Sequence, residues 1–232
     1  MEYVSVAEAA QNLHVSPRRV RQLTADGSLP SVRIGGRWLV SSSAIEHRQR
    51  GQSPPGRPLS SRSAWGALAV LSQAEDGLER LSPPLRSRAR SRAAWLRGQP
   101  SDAMARQWRT TLRRRAEVNQ FYGHPSILTD LVNDPKVVRS GVSAVHDYGA
   151  DLMVLGGAEG YLRPQDLAEI MERYALSRSS GADANVWLHV VGDSAEWLFD
   201  RPVAPAPVVA ADLMERDRAR DQAAGVNLIV NL

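Results

Sequence analysis

Cysteine is absent from this chain. Its absence excludes disulfides, thiolate metal sites and a cysteine nucleophile, and it accords with a cytoplasmic location without requiring one. Long apolar runs are missing as well. Nowhere do about eighteen apolar residues follow one another, so no membrane-spanning helix is expected. The opening MEYVSVAEAA has neither the basic start nor the apolar stretch of a secretory leader. Lysine is almost lacking, Lys136 being the one lysine among 29 basic residues. A GC-rich coding sequence produces that bias unaided, so it carries no functional weight.

What is present is a polarised charge. Residues 1–50 hold seven arginines against four acids, and residues 51–120 hold thirteen against five. Residues 121–232 reverse the sign, with nine basic and sixteen acidic side chains. The N-terminal half therefore suits a phosphate backbone, and the C-terminal half would be repelled by one.

Ser5 and Glu8 form S-x-x-E, a capping box at a helix start, and Val6, Ala9, Ala10 and Leu13 then fall on one helical face. Around His14 the chain turns. Ser16 caps a second helix with Pro17 at its first position, Val20 and Leu23 facing inward, and Asp26-Gly27 at its end. Val32 and Ile34, then Trp38 and Val40, recur with period two around Gly35-Gly36, which predicts a β-hairpin with Trp38 in its core. Ser43 and Glu46 repeat S-x-x-E and open a third helix containing Ile45. Helix, turn, helix, hairpin, helix is the plan of a winged helix-turn-helix.

The stretch SVAEAAQNLHVSPRRVRQLTADGSLPSVRIGGRWLVSSSAIE resembles the excisionase-type, MerR-like helix-turn-helix. The resemblance implies that the second helix enters the major groove of double-stranded DNA and that the hairpin touches backbone or minor groove. Arginine forks onto guanine O6/N7 and glutamine pairs with adenine N6/N7, so Arg18, Arg19, Arg21 and Gln22 are the expected groove contacts. Ser16 is expected to cap the helix beside a phosphate, and Arg33 and Arg37 to meet phosphate or minor groove from the hairpin.

Gly51-Gln52-Ser53-Pro54-Pro55-Gly56-Arg57-Pro58 marks a semi-stiff linker. Beyond it, Trp65, Leu68, Ala69 and Leu71 predict a buried helix. Leu85, Ala89, Ala93 and Leu96 oppose Arg86, Arg88, Arg90 and Arg92 on a second, and Ser101 caps a third that ends at Arg113-Arg114-Arg115. These arginines are a solvated face, auxiliary contacts to DNA, or a dock for an acidic partner. In the acidic half, 151–155 and 185–191 read as strands, and Gly156 to Gly160 as a glycine turn that lacks the spacing of a phosphate-binding loop. Pro164 opens a helix, and a last helical region begins at Val208. Asp212, Glu215, Asp217 and Asp221, interleaved with Arg216, Arg218 and Arg220, read as pairs on an exposed helix. His146-Asp147 stands alone, and no catalytic residue, metal ligand or cofactor is nominated.

GRPLSSRSAWGAL, LSPPLRSRAR, RRRAEVNQFYGHPSIL, DPKVVRSGVSAVHDYGADL, AEGYL and APVVAADLMERD resemble the body of AbiE-type antitoxins, in particular actinobacterial helix-turn-helix proteins that accompany nucleotidyltransferase toxins. That resemblance implies a repressor binding operator repeats upstream of its own operon, while the remainder helps neutralise the toxin. Two copies on a repeat, a homodimer on DNA, would gain specificity through half-site spacing. The enzyme would then be the toxin, not this chain. An excisionase-like architectural protein and a nuclease targeted by the helix-turn-helix are the alternatives. The second needs clustered carboxylates on a folded sheet. The fold expected is α+β: a winged helix-turn-helix at 1–50, a linker at 51–62, a basic helical region at 63–120 and an acidic α+β domain at 121–232, with 63–232 also readable as one domain.

Overall fold

The computed structural model describes residues 3–13, 15–25, 29–42, 44–45, 58–149, 157–179 and 181–232, and the backbone alone at Ile34, Arg37 and Ala182. The chain divides into two units, Met1–Gly56 and Arg57–Leu232. His14, Asp26, Gly27, Ser43, Glu46, linker residues 51–57 and the strand expected at 151–155 lie outside the described residues.

In the first unit, β1 (Tyr3–Ser5) leads directly into α1 (Val6–Asn12). The capping box forms: the Ser5 N–H donates to the Glu8 carboxylate at 2.8 Å and the Glu8 N–H to the Ser5 hydroxyl at 3.2 Å. Those bonds hold the Glu8 carboxyl below its ordinary range. Next comes α2 (Pro17–Ala25), and Val20 and Leu23 from it close a small core with Ala9, Ala10, Leu29, Val40 and Ile45. Strands β2 (Ser31–Ile34) and β3 (Arg37–Ser41) flank Gly35-Gly36, whose φ angles of +57° and +78° suit a tight two-residue hairpin turn.

That turn sets a register the sequence reading did not anticipate. It pairs Ile34 with Arg37, Arg33 with Trp38, Val32 with Leu39 and Ser31 with Val40. Directly opposed residues share a face of the sheet, so Trp38 and Val40 lie with Arg33, not with Val32 and Ile34. Val40 is buried, whereas Trp38 is only half-buried and lies 5.9 Å from the Arg33 guanidinium. The expectation of a Trp38 core is corrected accordingly. β1 completes the sheet by pairing with the other edge of β3, in the order β1-β3-β2. Three residues are too few to display a period, which is why β1 escaped prediction.

The second unit begins with α3 (Ser61–Leu71), α4 (Glu75–Glu79), α5 (Pro83–Arg97) and α6 (Ser101–Leu112). Strands β4 (Glu117–Tyr122), β5 (Val138–Arg139), β6 (Ala158–Leu162), β7 (Ser177–Arg178) and β8 (Val186–Val190) make one sheet in the order β5-β6-β8-β4-β7. Among the described strand pairs, β6 and β8 are parallel and the others antiparallel. α7 (Leu128–Val132) and α8 (Leu167–Arg173) sit on one face of the sheet, over Phe121, Leu162, Val186 and Leu188. The other face meets α9 (Ala206–Glu215), α10 (Ala219–Val230) and the early helices around Trp65, Trp108, Tyr161 and Trp197. One apolar core thus draws residues from 64 to 229, across the change of charge near 120. Two of its indoles are hydrogen-bonded, Trp65 donating to the Arg115 carbonyl at 2.8 Å and Trp108 to that of Leu96 at 3.0 Å.

Several sequence expectations fail in this unit. Ala158, Glu159 and Gly160 are not a turn but the interior of β6, where small residues let Val137 and Val138 approach closely. The last helical region is also not continuous. Arg216 is extended between α9 and α10, and Asp212 and Asp221 are buried rather than exposed.

Asp134 illustrates how the α7–α8 face is fastened. Its carboxylate accepts from the Lys136 N–H at 2.9 Å, from Arg173 at 2.6 Å and from the Tyr174 hydroxyl at 3.0 Å. Burial pushes its pKa up, but those donors outweigh burial and bring it below the ordinary value of 3.8. Asp134→Asn is expected to lower stability by about 1.5–3 kcal/mol, measured by urea denaturation at neutral pH. Because the folded pKa is depressed, this contribution is full above pH 3.8 and fades as the pH falls through the folded value.

Candidate functional site

The first candidate surface is the outer face of α2. Burial of Val20, Leu23 and Thr24 fixes its rotation, and the 3.6-residue period then turns Arg18, Arg19, Arg21 and Gln22 to solvent. The Ser16 hydroxyl accepts from the Arg19 N–H at 3.3 Å, as a cap does. The Arg19 guanidinium donates to the Gln22 side chain at 2.9 Å, which ties two adjacent polar groups together before any ligand arrives. Arg33 is exposed on the hairpin; the Arg37 side chain is outside what the structure describes.

The arginines of the second unit divide by burial. Arg88, Arg90, Arg113 and Arg114 are exposed. Arg86 and Arg92 are half-buried, and Arg86 donates to the Leu81 carbonyl at 2.8 Å. Arg115 is 2% exposed and ion-paired inside the unit, which removes it from any DNA contact.

Arg115 opens onto a second constellation, one the sequence reading missed. Strand alternation places Glu159 and Tyr161 of β6, Trp187 and His189 of β8, and Val118 and Gln120 of β4 on one face of the sheet. Tyr161 and His189 are direct cross-strand neighbours and stack with centroids 4.8 Å apart. Against them α9 presents Asp212. Its Oδ1 accepts from Arg115 at 2.5 Å and from the Tyr161 hydroxyl at 2.6 Å, and its Oδ2 from Ser140. Glu215 lies 2.6 Å from the same Arg115 nitrogen, an ion pair without hydrogen-bond alignment.

Glu159 is held just as closely. Its Oε2 accepts from the Val142 N–H and from Arg216, both at 3.1 Å, and its Oε1 faces His189 Nε2 at 2.9 Å. Burial opposes charge on both partners, yet their mutual attraction, with Arg216 and Asp212 nearby, draws the Glu159 carboxyl below its ordinary range and the His189 imidazole above its own. Arg216 also donates to Asp221 at 2.8 Å and lies over the Trp187 ring at 4.2 Å. A cavity of about 460 Å³ adjoins the group, bordered also by Val118, Gln120 and Asp217.

Gly141 closes the back of this site. Its φ is +48°, and a Cβ there would lie 2.1 Å from a Glu159 carboxylate oxygen. Gly141→Ala is expected to destabilise the unit by about 1–3 kcal/mol through overpacking, read as a lowered thermal midpoint. The sequence signal for the site is faint: a single acid, Asp212, inside the apolar run PVVAADLM, and a histidine inside NVWLHVV.

The sequence pattern of the helix-turn-helix domain family matches residues 3–53. A DNA-binding helix-turn-helix stands at the N-terminus. No curated protein and no solved structure matches the chain. The match covers α1, α2, the hairpin and β1, so the exposed arginines of α2 belong to a helix-turn-helix rather than to an arbitrary basic surface. Among the described residues, no helix is long and apolar enough to cross a membrane.

Proposed function

We propose that this chain is a sequence-specific DNA-binding transcriptional repressor that serves as antitoxin and autoregulator of an operon shared with a nucleotidyltransferase-type toxin. The observation that carries the DNA-binding part is the outward row Arg18, Arg19, Arg21 and Gln22 over the buried Val20 and Leu23. In this reading α2 lies in the major groove, its arginines and glutamine read base edges, and Ser16 sits against a phosphate. The β2–β3 hairpin acts as a wing that brings Arg33 and Arg37 to the backbone or minor groove. Two copies on operator repeats gain specificity through half-site spacing. Arg88, Arg90, Arg113 and Arg114 add sequence-independent attraction.

The antitoxin part is supported by the likeness of residues 57–221 to AbiE-type antitoxins, and in it the toxin, not this cytoplasmic chain, performs catalysis. The test is co-expression of the chain with the neighbouring nucleotidyltransferase gene, beside a reporter under the operon's own upstream DNA. Restored growth together with reporter repression is the expected result. Reporter repression without growth rescue would remove the antitoxin role, and DNA bending with neither would favour an architectural protein of the excisionase kind.

A further inference from the structure

We infer that Glu159, His189 and Asp212 form a binding site for one first-row divalent transition-metal ion, reached from the cavity they border. The three residues come from β6, β8 and α9, and each brings one ligating atom to within 4.8 Å of the other two. An imidazole with two carboxylates and no thiolate suits Mn²⁺, Fe²⁺, Co²⁺ or Zn²⁺ better than the all-oxygen cations.

The hydrogen bonds already made leave one oxygen of each carboxylate with a single partner. Arg216 and the Val142 N–H occupy Glu159 Oε2, whereas Oε1 meets His189 alone. Arg115 and Tyr161 occupy Asp212 Oδ1, whereas Oδ2 meets Ser140 alone. Each carboxylate therefore keeps a spare lone pair on the oxygen that its guanidinium does not hold. His189 is 3% exposed, and its Nδ1 is buried without a hydrogen-bond partner among the described residues. The arginines and the tyrosine are then outer partners that orient ligands, as metal sites require.

Charge points the same way. The connected ion pairs join four carboxylates, those of Glu159, Asp212, Glu215 and Asp221, to the two guanidiniums of Arg115 and Arg216. Once His189 gives up its proton to ligate, this largely buried group carries two negative charges in excess, which a divalent cation cancels. The cavity of about 460 Å³ supplies an entry path and room for waters at the remaining coordination positions.

The experiment uses the full chain, stripped with chelator and titrated separately with Zn²⁺, Co²⁺ and Mn²⁺ by calorimetry, with thermal unfolding in parallel. One ion per chain and a raised unfolding midpoint are expected. His189→Gln keeps an amide N–H towards Glu159 but removes the imidazole, and it should weaken binding on the order of 100-fold. Asp217→Asn, on the cavity border outside the donor set, should bind as the parent does. Should His189→Gln fail to fold, Mn²⁺ broadening of the His189 ring signals ahead of those of His124 and His146 in the parent chain gives the same answer. No binding at millimolar metal, unchanged affinity in a folded His189→Gln, or equal broadening of all histidine signals would overturn the site.

Discussion

Arg115→Met is expected to lower the stability of the C-terminal unit by about 3–5 kcal/mol, seen as an early unfolding transition in urea or heat. The reason is asymmetric. Arg115 and Asp212 are both essentially inaccessible, and their pairing is reinforced by Tyr161 and Ser140. Removing only the guanidinium leaves the Asp212 carboxylate buried without its charge partner, and desolvation then dominates. A second change, Asp212→Asn in the Arg115→Met background, removes the stranded charge and should recover part of the loss. An Arg115→Met protein as stable as the parent would show that the network contributes little, and that the core around Trp65 and Trp108 suffices.

The second large effect concerns α2. Arg19→Ala is expected to reduce operator affinity by about 1–3 kcal/mol, or roughly 5- to 150-fold, while reducing affinity for random DNA much less. Arg19 is exposed, lies in the first turn after the Ser16 cap, and is already tied to Gln22. A side chain so held loses less freedom when it forks onto a base. Arg33→Ala, on the hairpin, should instead weaken all sequences alike and flatten the salt dependence, as loss of a phosphate contact does. Competition titrations at matched ionic strength separate the two. Equal loss on operator and random DNA for Arg19→Ala would remove its base-reading role.

The contrast between the two units explains what the sequence made legible. Capping, turn chemistry and period act over a few residues, so Ser5 with Glu8, the Pro17 start of α2 and the Gly35-Gly36 hairpin could all be read directly. Even there, register decided more than period: whether Trp38 shares a face with Val32 or with Arg33 depends on the turn, not on alternation. In the second unit the helices α3, α5 and α6 announced themselves through apolar stripes, and β8 through its apolar run. The polar centre did not. Glu159 and His189 become neighbours only because β6 and β8 run parallel side by side, and Asp212 reaches them from a helix more than twenty residues further on. Asp212 and Arg216 look like surface pairs in sequence, yet Asp212 is buried within α9 and Arg216 is extended at the break between α9 and α10.

The central claim, that this chain is a sequence-specific repressor acting through α2, is tested most directly by footprinting. The full chain is bound to DNA upstream of its own gene at low and near-physiological salt, with random DNA as competitor. The account predicts a protected repeat that survives both the competitor and the higher salt, because base contacts persist where phosphate attraction fades. Protection that vanishes equally on every sequence as salt rises would contradict it.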